Sequence, residues 1–280
     1  MNNITTTYKP QRSAFFGLQA WKEMQADLLA SRELVLRLAQ RDISVRYRQS
    51  LLGYVWAVAP QLVTVGIFAF LARYRVFDMG ESAMPYLVHA LWSISVWQLF
   101  SVSLVNCTNS LVNAGSMVTK INFPKESLVV AATASAVIDF AVRLVPVFLV
   151  MLWVGFVPSA NIVFVPLILL LVLLFALGIG FVFSIVNLVV RDMGNMVSMV
   201  MTFGMFLAPI LYPPPVTEPF SLVNYLNPFS PLLIATQDLL AGGGLSQPLS
   251  LVLSALLAVT SFLVGWRVFR ITLPRVTERA

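Results

Sequence analysis

Charge is scarce in this chain of 280 residues: Asp, Glu, Lys and Arg make up 11%, against about a quarter in an ordinary soluble domain. That excludes a sizeable water-soluble domain, because the longest polar region, residues 1–50, is too short and too charged to build a core alone. Cysteine occurs once, at Cys107, so no intrachain disulfide and no thiolate metal site is expected. Histidine also occurs once, at His89, which argues against a multi-histidine metal site and leaves no Ser/His/Asp arrangement. No Gly-x-x-x-x-Gly-Lys-[Ser/Thr] loop is present, so the usual phosphate cradle for ATP is missing. Paired surface carboxylates are lacking too. These absences point away from catalysis by this chain, and any driven process needs a partner or an ion gradient.

What the chain has instead is apolar length. Hydrophobic residues reach 59% and mean hydropathy is +0.86. Six stretches approach or exceed the ~20 residues that a helix needs to cross a bilayer: Leu51–Ala72, Pro85–Asn106, Ser127–Phe156, Ile162–Val190, Gly194–Tyr212 and Leu249–Phe269. The expected fold class is all-α integral membrane, with a six-span domain over residues 51–270. An N-terminal segment (1–50) and a short tail (271–280) flank it. Residues 1–20 lack a continuous apolar core, so no cleavable signal peptide is expected.

Basic residues favour the cytoplasmic side. They cluster in the N-terminal segment, at Lys120 and Lys125, at Arg191 and at the end of the chain, whereas Arg73 and Arg75 fall on the other side near Asp78 and Glu81. Both termini are therefore expected in the cytoplasm. The pI near 9.8 follows from this bias and requires no nucleic acid.

Four segments stand out. From about Trp21 to Arg48, apolar Leu28, Leu34, Val35, Leu38 and Val45 recur among charges, the pattern of an amphipathic helix in the interface. Between the second and third spans, Thr119 to Glu126 contains Pro124, which turns the chain. It forms a compact protrusion for a partner, or an ordinary connection. Pro213–Gln247 carries a triple proline, an apolar run Leu232–Leu240 too short to span, and a Gly242–Gly244 turn. A pair of short re-entrant helices fits it, provided protein covers them. Finally, Asp139 and Arg143 lie four apart on one face near the middle of the third span. Each ion costs on the order of 3 kcal/mol at the bilayer centre, so the pair must face inward, as packing or as a relay. His89 reads as a helix-contact residue.

Aromatic residues at span ends are interfacial anchors. Trp97 and Phe100 lie well inside, where ring faces can line a sugar path or simply pack.

The run Arg41-Asp42-Ile43-Ser44-Val45-Arg46-Tyr47-Arg48-Gln49-Ser50-Leu51-Leu52-Gly53, followed by Trp56 and Pro60, resembles the first motif of polysaccharide-export permeases of type-2 ABC transporters. Phe123-Pro124-Lys125-Glu126 resembles the loop ahead of their third span. Ala208-Pro209-Ile210-Leu211-Tyr212-Pro213 and Leu226-Asn227-Pro228 resemble the end of their fifth span and their outer segment. The likeness runs from about Arg32 to the C-terminus. It departs where Val189-Val190 replace the family's frequent aromatic before Arg191-Asp192, and before Trp21.

The resemblance implies a homodimer in the bacterial inner membrane, enclosing a channel for an undecaprenyl-linked polysaccharide of O-antigen, capsule or teichoic-acid type. Two copies of a separate ATPase would bind ATP and Mg, and this chain would hold no cofactor itself. It further implies ATPase contact at Arg37, Arg41, Asp42, Lys120, Phe123, Pro124, Lys125 and Glu126. A substrate path would run over Arg46, Tyr47, Arg48, Tyr54, Trp56, Trp97 and Phe100, with Arg46 and Arg48 suited to pyrophosphate. An outer gate would involve Tyr212, Pro213, Asn227 and Pro228. The competing readings are a type-2 exporter of lipid or drug, an ion-coupled transporter using Asp139, Arg143 and His89, and a membrane glycosyltransferase. No internal repeat favours the ion-coupled reading, and no surface carboxylates favour the transferase.

Overall fold

The computed structural model describes residues 18–47, 55–74, 84–115, 117–120, 123–212 and 226–277, and among these the regular structure is entirely helical. In chain order the helices are α1 (Leu18–Ala30), α2 (Arg32–Tyr47), α3 (Val55–Arg73), α4 (Tyr86–Ala114), α5 (Met117–Lys120), α6 (Glu126–Val154), α7 (Val165–Val189), α8 (Met193–Gly204), α9 (Ser230–Ala241) and α10 (Pro248–Thr277). A 3₁₀ turn, Ala160–Phe164, leads into α7, and another, Met205–Leu207, follows α8.

Four helical segments are long and apolar enough to cross a membrane: Tyr86–Ala114, Glu126–Val154, Ala160–Val189 and Pro248–Val276. They match the second, third, fourth and sixth expected spans. Two others are shorter in their apolar part, Val58–Phe70 and Met193–Leu207. The expected span Gly194–Tyr212 is not one continuous helix. It leaves α-geometry at Gly204 and ends in a turn through Tyr212, where Pro209 lacks the N–H that helix continuation requires. In the opposite sense, α10 runs unbroken to Thr277, so residues 271–277 extend the last helix instead of forming a tail.

The bundle is inside-out relative to a soluble protein. Leu152 and Trp153 on α6 are 80% and 78% exposed, and Leu167 and Leu253 also face outward. Such an apolar exterior belongs in hydrocarbon. Polar side chains instead gather on α4, the least hydropathic of the four long helices, whose most apolar window is 83% buried. Its hydroxyls bond to their own backbone: Ser93 Oγ donates to the His89 carbonyl (2.6 Å), Ser95 to Leu91 (2.6 Å) and Thr108 to Leu104 (2.8 Å).

Neighbouring helices then bond to α4 in turn. Gln61 of α3 donates to the Leu91 carbonyl and Ser95 Oγ, both at 3.0 Å. Gln237 of α9 donates to Ser93 Oγ at 2.8 Å, and Trp92 Nε1 to Thr236 Oγ1 at 3.0 Å. Asn187 of α7 donates to the Thr108 carbonyl (3.1 Å) and Asn109 Oδ1 (3.0 Å), while its own oxygen accepts from the Gly194 N–H (2.9 Å). The second span is therefore the polar spine of the molecule.

Packing on either side of α7 depends on glycine. A Cβ at Gly178 would overlap the backbone of Ser261 and Phe262 in α10, and one at Gly265 would overlap the Gly178 carbonyl. A Cβ at Gly180 would overlap Cys107 of α4. Small residues thus let three backbones approach closely, which is how helices pack when lipid tails are as apolar as their side chains.

The single amphipathic helix expected from Trp21 to Arg48 is two helices. Ser31 interrupts it: its N–H is shared between the Asp27 and Leu28 carbonyls (3.1 and 3.2 Å) and its hydroxyl bonds back to Asp27 (2.8 Å), which bends the chain although the Val35 N–H still reaches the Ser31 carbonyl at 3.0 Å. The apolar faces of α1 and α2 are spent largely on protein. Met24, Leu38 and Ala39 are buried, and Trp21 meets Trp266 of α10 edge-on, with ring centroids 6.1 Å apart. Leu29 and Leu36 remain exposed.

Candidate functional site

Two regions gather the residues that sequence reasoning singled out, one at the basic end of the bundle and one around its middle. The first lies at the basic end, where α1, the start of α6 and the end of α10 meet. Pro124 turns the chain and Glu126 is the first residue of α6, so its carboxylate sits at the positive end of that helix's dipole. The Glu126 side chain is only 5% exposed. Its charge is met by Arg270 of α10, whose Nη1 donates to Oε1 at 2.8 Å. The other arm of the same guanidinium donates to Asp27 of α1. One planar fork thereby ties together three elements 144 and 243 residues apart in sequence.

Phe123, Pro124, Lys125 and Glu126 edge a cleft of about 320 Å³ beside this hub. Lys125 places its Nζ 4.3 Å from the centroid of the Phe123 ring, a cation–π contact. Burial holds its ammonium below the usual lysine range, with Glu126 acting in the opposite direction. Arg41 and Asp42 pair with each other at 2.8 Å on α2, and Arg41 also reaches Met117 of α5 at 3.6 Å. Arg37 lies on the same helix, and Lys120 is the last residue of α5.

The second region is aromatic and sits around the middle of the bundle, reaching the segment at Asn227 and Pro228. Trp97 and Phe100 of α4 are each 4% exposed and do not open onto a wide path. Phe100 stacks on Phe175 of α7 at 5.4 Å and 20°, and Trp97 meets Phe229 edge-on at 5.0 Å. Their ring faces are occupied largely by one another. They border a cavity of about 520 Å³ that is also lined by Met201, Leu207, Asn227 and Pro228. Two expectations made separately, a path at Trp97 and Phe100 and a gate at Asn227 and Pro228, thus converge on one space.

Asn227 fastens the gate segment: its Nδ2 donates to the Leu207 carbonyl at 3.2 Å, and its Oδ1 accepts from the Phe229 N–H at 3.1 Å. The Tyr212 hydroxyl donates to the Phe206 carbonyl at 2.9 Å. Buried His89 hydrogen-bonds to the Tyr212 backbone, a helix-to-turn contact. Helix α9 is almost wholly buried, and Gly242, at φ 85°, closes it in the left-handed region where glycine is unstrained.

Other expected residues are more scattered. Arg46 and Tyr47 fall in the last turn of α2 and Trp56 in the first turn of α3. Arg48, Tyr54 and Pro213 lie outside the described residues. Asp139 and Arg143 are 3% and 7% exposed, buried inside the bundle and engaged by other groups. Sequence reasoning passed over Asp27, Arg270, Gln61, Gln237 and Asn187. For Gln61, Gln237 and Asn187 the available signal was the polarity of α4, to which they bond; nothing local marks Asp27 or Arg270.

Comparison with known proteins agrees with this layout. The family signature described as ABC-2 type transporter matches residues 33–241. Among similar proteins, an O-antigen export system permease protein RfbA of Klebsiella pneumoniae is 29% identical over 217 residues, 76% of this chain and 82% of that protein. A protein of the same name from Myxococcus xanthus is 27% identical over 223 residues, 75% and 81% of the two chains. With a signature spanning most of the helical bundle, its apolar exterior and its polar second span, this chain belongs to the ABC-2 type transporter family of integral membrane proteins.

Proposed function

We propose that this chain is the membrane subunit of an ATP-driven exporter of a lipid-linked polysaccharide of the O-antigen type, resident in the bacterial inner membrane with both termini cytoplasmic. The observation that carries the reading is the similarity, over three quarters of the chain, to permeases named for O-antigen export. Two copies enclose one path, and two copies of a cytoplasmic ATPase bind ATP and Mg beneath it.

The geometry supports a mechanism. The ATPase presses on the Phe123–Glu126 loop and on α2. Through Arg270 the push reaches α1, α6 and α10 together, because one guanidinium holds both Glu126 and Asp27. The aromatic cavity at Trp97 and Phe100 lies along the path, and the Asn227–Pro228 segment that borders it forms the outer gate. Arg46 and Arg48 meet the carrier pyrophosphate at the cytoplasmic mouth.

The test is export of surface glycan by cells expressing this chain with its ATPase, against an ATPase whose Walker lysine is replaced. Glycan appearing only with the active ATPase supports the reading. Equal export with the inactive ATPase overturns it, and directs attention to Asp139 and Arg143. Replacing Arg46 and Arg48 with Gln should impair export while leaving assembly with the ATPase intact.

A further inference from the structure

A second cavity at the basic end is unlike the aromatic one. It encloses about 600 Å³ between α2, α4 and α6, within the roughly 300–1,000 Å³ typical of ligand sites. Each helix gives it one face. From α4 come Asn106, Ser110 and Asn113, at i, i+4 and i+7; from α2 come Arg41 and Asp42; from α6 comes Ser135. The floor is small, with Ala131 and Ala132 of α6 leaving the volume open. Asn106 donates to the Ala132 carbonyl at 3.3 Å and to Ser135 Oγ, and the Ser110 hydroxyl donates to the Cys107 carbonyl at 2.7 Å; each also carries an acceptor oxygen. Asn113, one residue before the end of α4, is exposed at the mouth of the cavity.

We infer that this cavity is a sugar-binding site, at which a sugar unit of the lipid-linked glycan rests before transport. The donor set selects the ligand. Asn106 and Asn113 carry amides that both donate and accept, Ser110 and Ser135 carry hydroxyls, and Asp42 supplies a carboxylate that accepts from hydroxyl pairs. The Arg41 charge is already matched by Asp42, with Nε at 2.9 Å and Nη2 at 2.8 Å from one oxygen. A balanced guanidinium–carboxylate pair among amides favours a neutral polyhydroxyl group over a phosphate. Asn106 is also fixed in place, its Nδ2 donating to Ser135 Oγ at 2.9 Å and so joining two walls. The site shares α2 with the ATPase-contacting face, so movement of that helix changes the cavity. The inference rests on the glycan-export reading.

The test places one thiol in the cavity. In a Cys107→Ser background, Ala132→Cys, on the floor and outside the donor set, is probed with a membrane-impermeant maleimide in inside-out vesicles that also contain the ATPase. Leu36→Cys, exposed on the opposite face of α2, is the control. Vesicles from cells that make the lipid-linked glycan are compared with vesicles from cells that cannot. The expected result is labelling of Ala132→Cys slowed several-fold by the glycan, with Leu36→Cys unchanged.

Equal rates in both vesicles, while the same variant still exports glycan in cells, overturn the site and leave the export reading standing. Slow labelling in glycan-free vesicles that is relieved in pure phosphatidylcholine identifies a lipid headgroup and also overturns it. Glycan export that persists without this chain removes the reading and the site together.

Discussion

At Glu126 and Arg270 the energetics are asymmetric. Glu126 is nearly sealed from water, whereas Arg270 is 36% and Asp27 42% exposed by side chain. Removing the guanidinium leaves a buried carboxylate uncompensated, which costs about 3 kcal/mol. Asp27→Asn breaks only a solvent-screened contact, worth about 1 kcal/mol or less. Arg270→Gln is therefore expected to lower the thermal midpoint in detergent far more than Asp27→Asn. The sharper expectation is that Glu126→Gln/Arg270→Gln melts above Arg270→Gln alone, because an amide in the Glu126 pocket no longer carries a charge. Melting curves of the three variants, read by intrinsic fluorescence, decide this. A double variant less stable than Arg270→Gln would show that the pocket depends on something other than charge compensation.

Between elements, close approach outweighs hydrogen bonding. An interhelical hydrogen bond in a membrane protein is worth about 0.6 kcal/mol on average, so Gln237→Leu, which removes the bonds to Ser93 and to the Pro209 carbonyl, should shift the melt by only about 1 kcal/mol. Gly265→Leu must instead push α10 away from α7, whose Gly178 carbonyl lies where the new Cβ would stand. Its expected effect is loss of folded protein in detergent size-exclusion chromatography. Gly66→Ala, which meets open space on α3, should be tolerated.

This contrast also explains what was legible in the sequence. Length and hydropathy placed the four long helices to within a few residues at most ends, because a bilayer demands a fixed apolar length. The tail of α4 beyond Asn106 was missed because its Asn and Ser residues lower hydropathy, although Ser110 is buried and Asn109 accepts from Asn187. The break at Ser31 was missed because a local side-chain bond leaves the apolar period on either side intact. Trp97, Phe100, Asn227 and Pro228 were each singled out, but only tertiary packing places them around one space. Arg270 was one basic residue among several near the end of the chain, and nothing local marks it as the partner of Asp27 and Glu126.

At the scale of the molecule, α8 is the element that a single copy does not explain. Its 12 α-helical residues and three 3₁₀ residues span roughly 24 Å at about 1.5 and 2.0 Å per residue. The non-helical turn after Leu207 is covered within the chain, since Ala208, Ile210 and Leu211 are buried and Gln237 and Asn227 donate to the Pro209 and Leu207 carbonyls. The helix before it keeps an open side. Met196, Met199, Val200 and Phe203 form an exposed stripe at helical spacing on α8, and Val63, Ile67 and Phe70 form another on α3. If two copies meet across these stripes, the short helix is sheltered and the path lies along the two-fold axis, as the proposed function requires. Cys107 makes the test clean, since it is the chain's single cysteine and is buried, and a serine there keeps a donor for the Val129 carbonyl it now contacts at 3.4 Å. In that background, Met199→Cys should form a dimer on mild oxidation in membranes. Leu152→Cys, equally exposed but on the face of α6, should remain monomeric. The reverse pattern would place the second copy against α6 and leave α8 to be covered by a different partner.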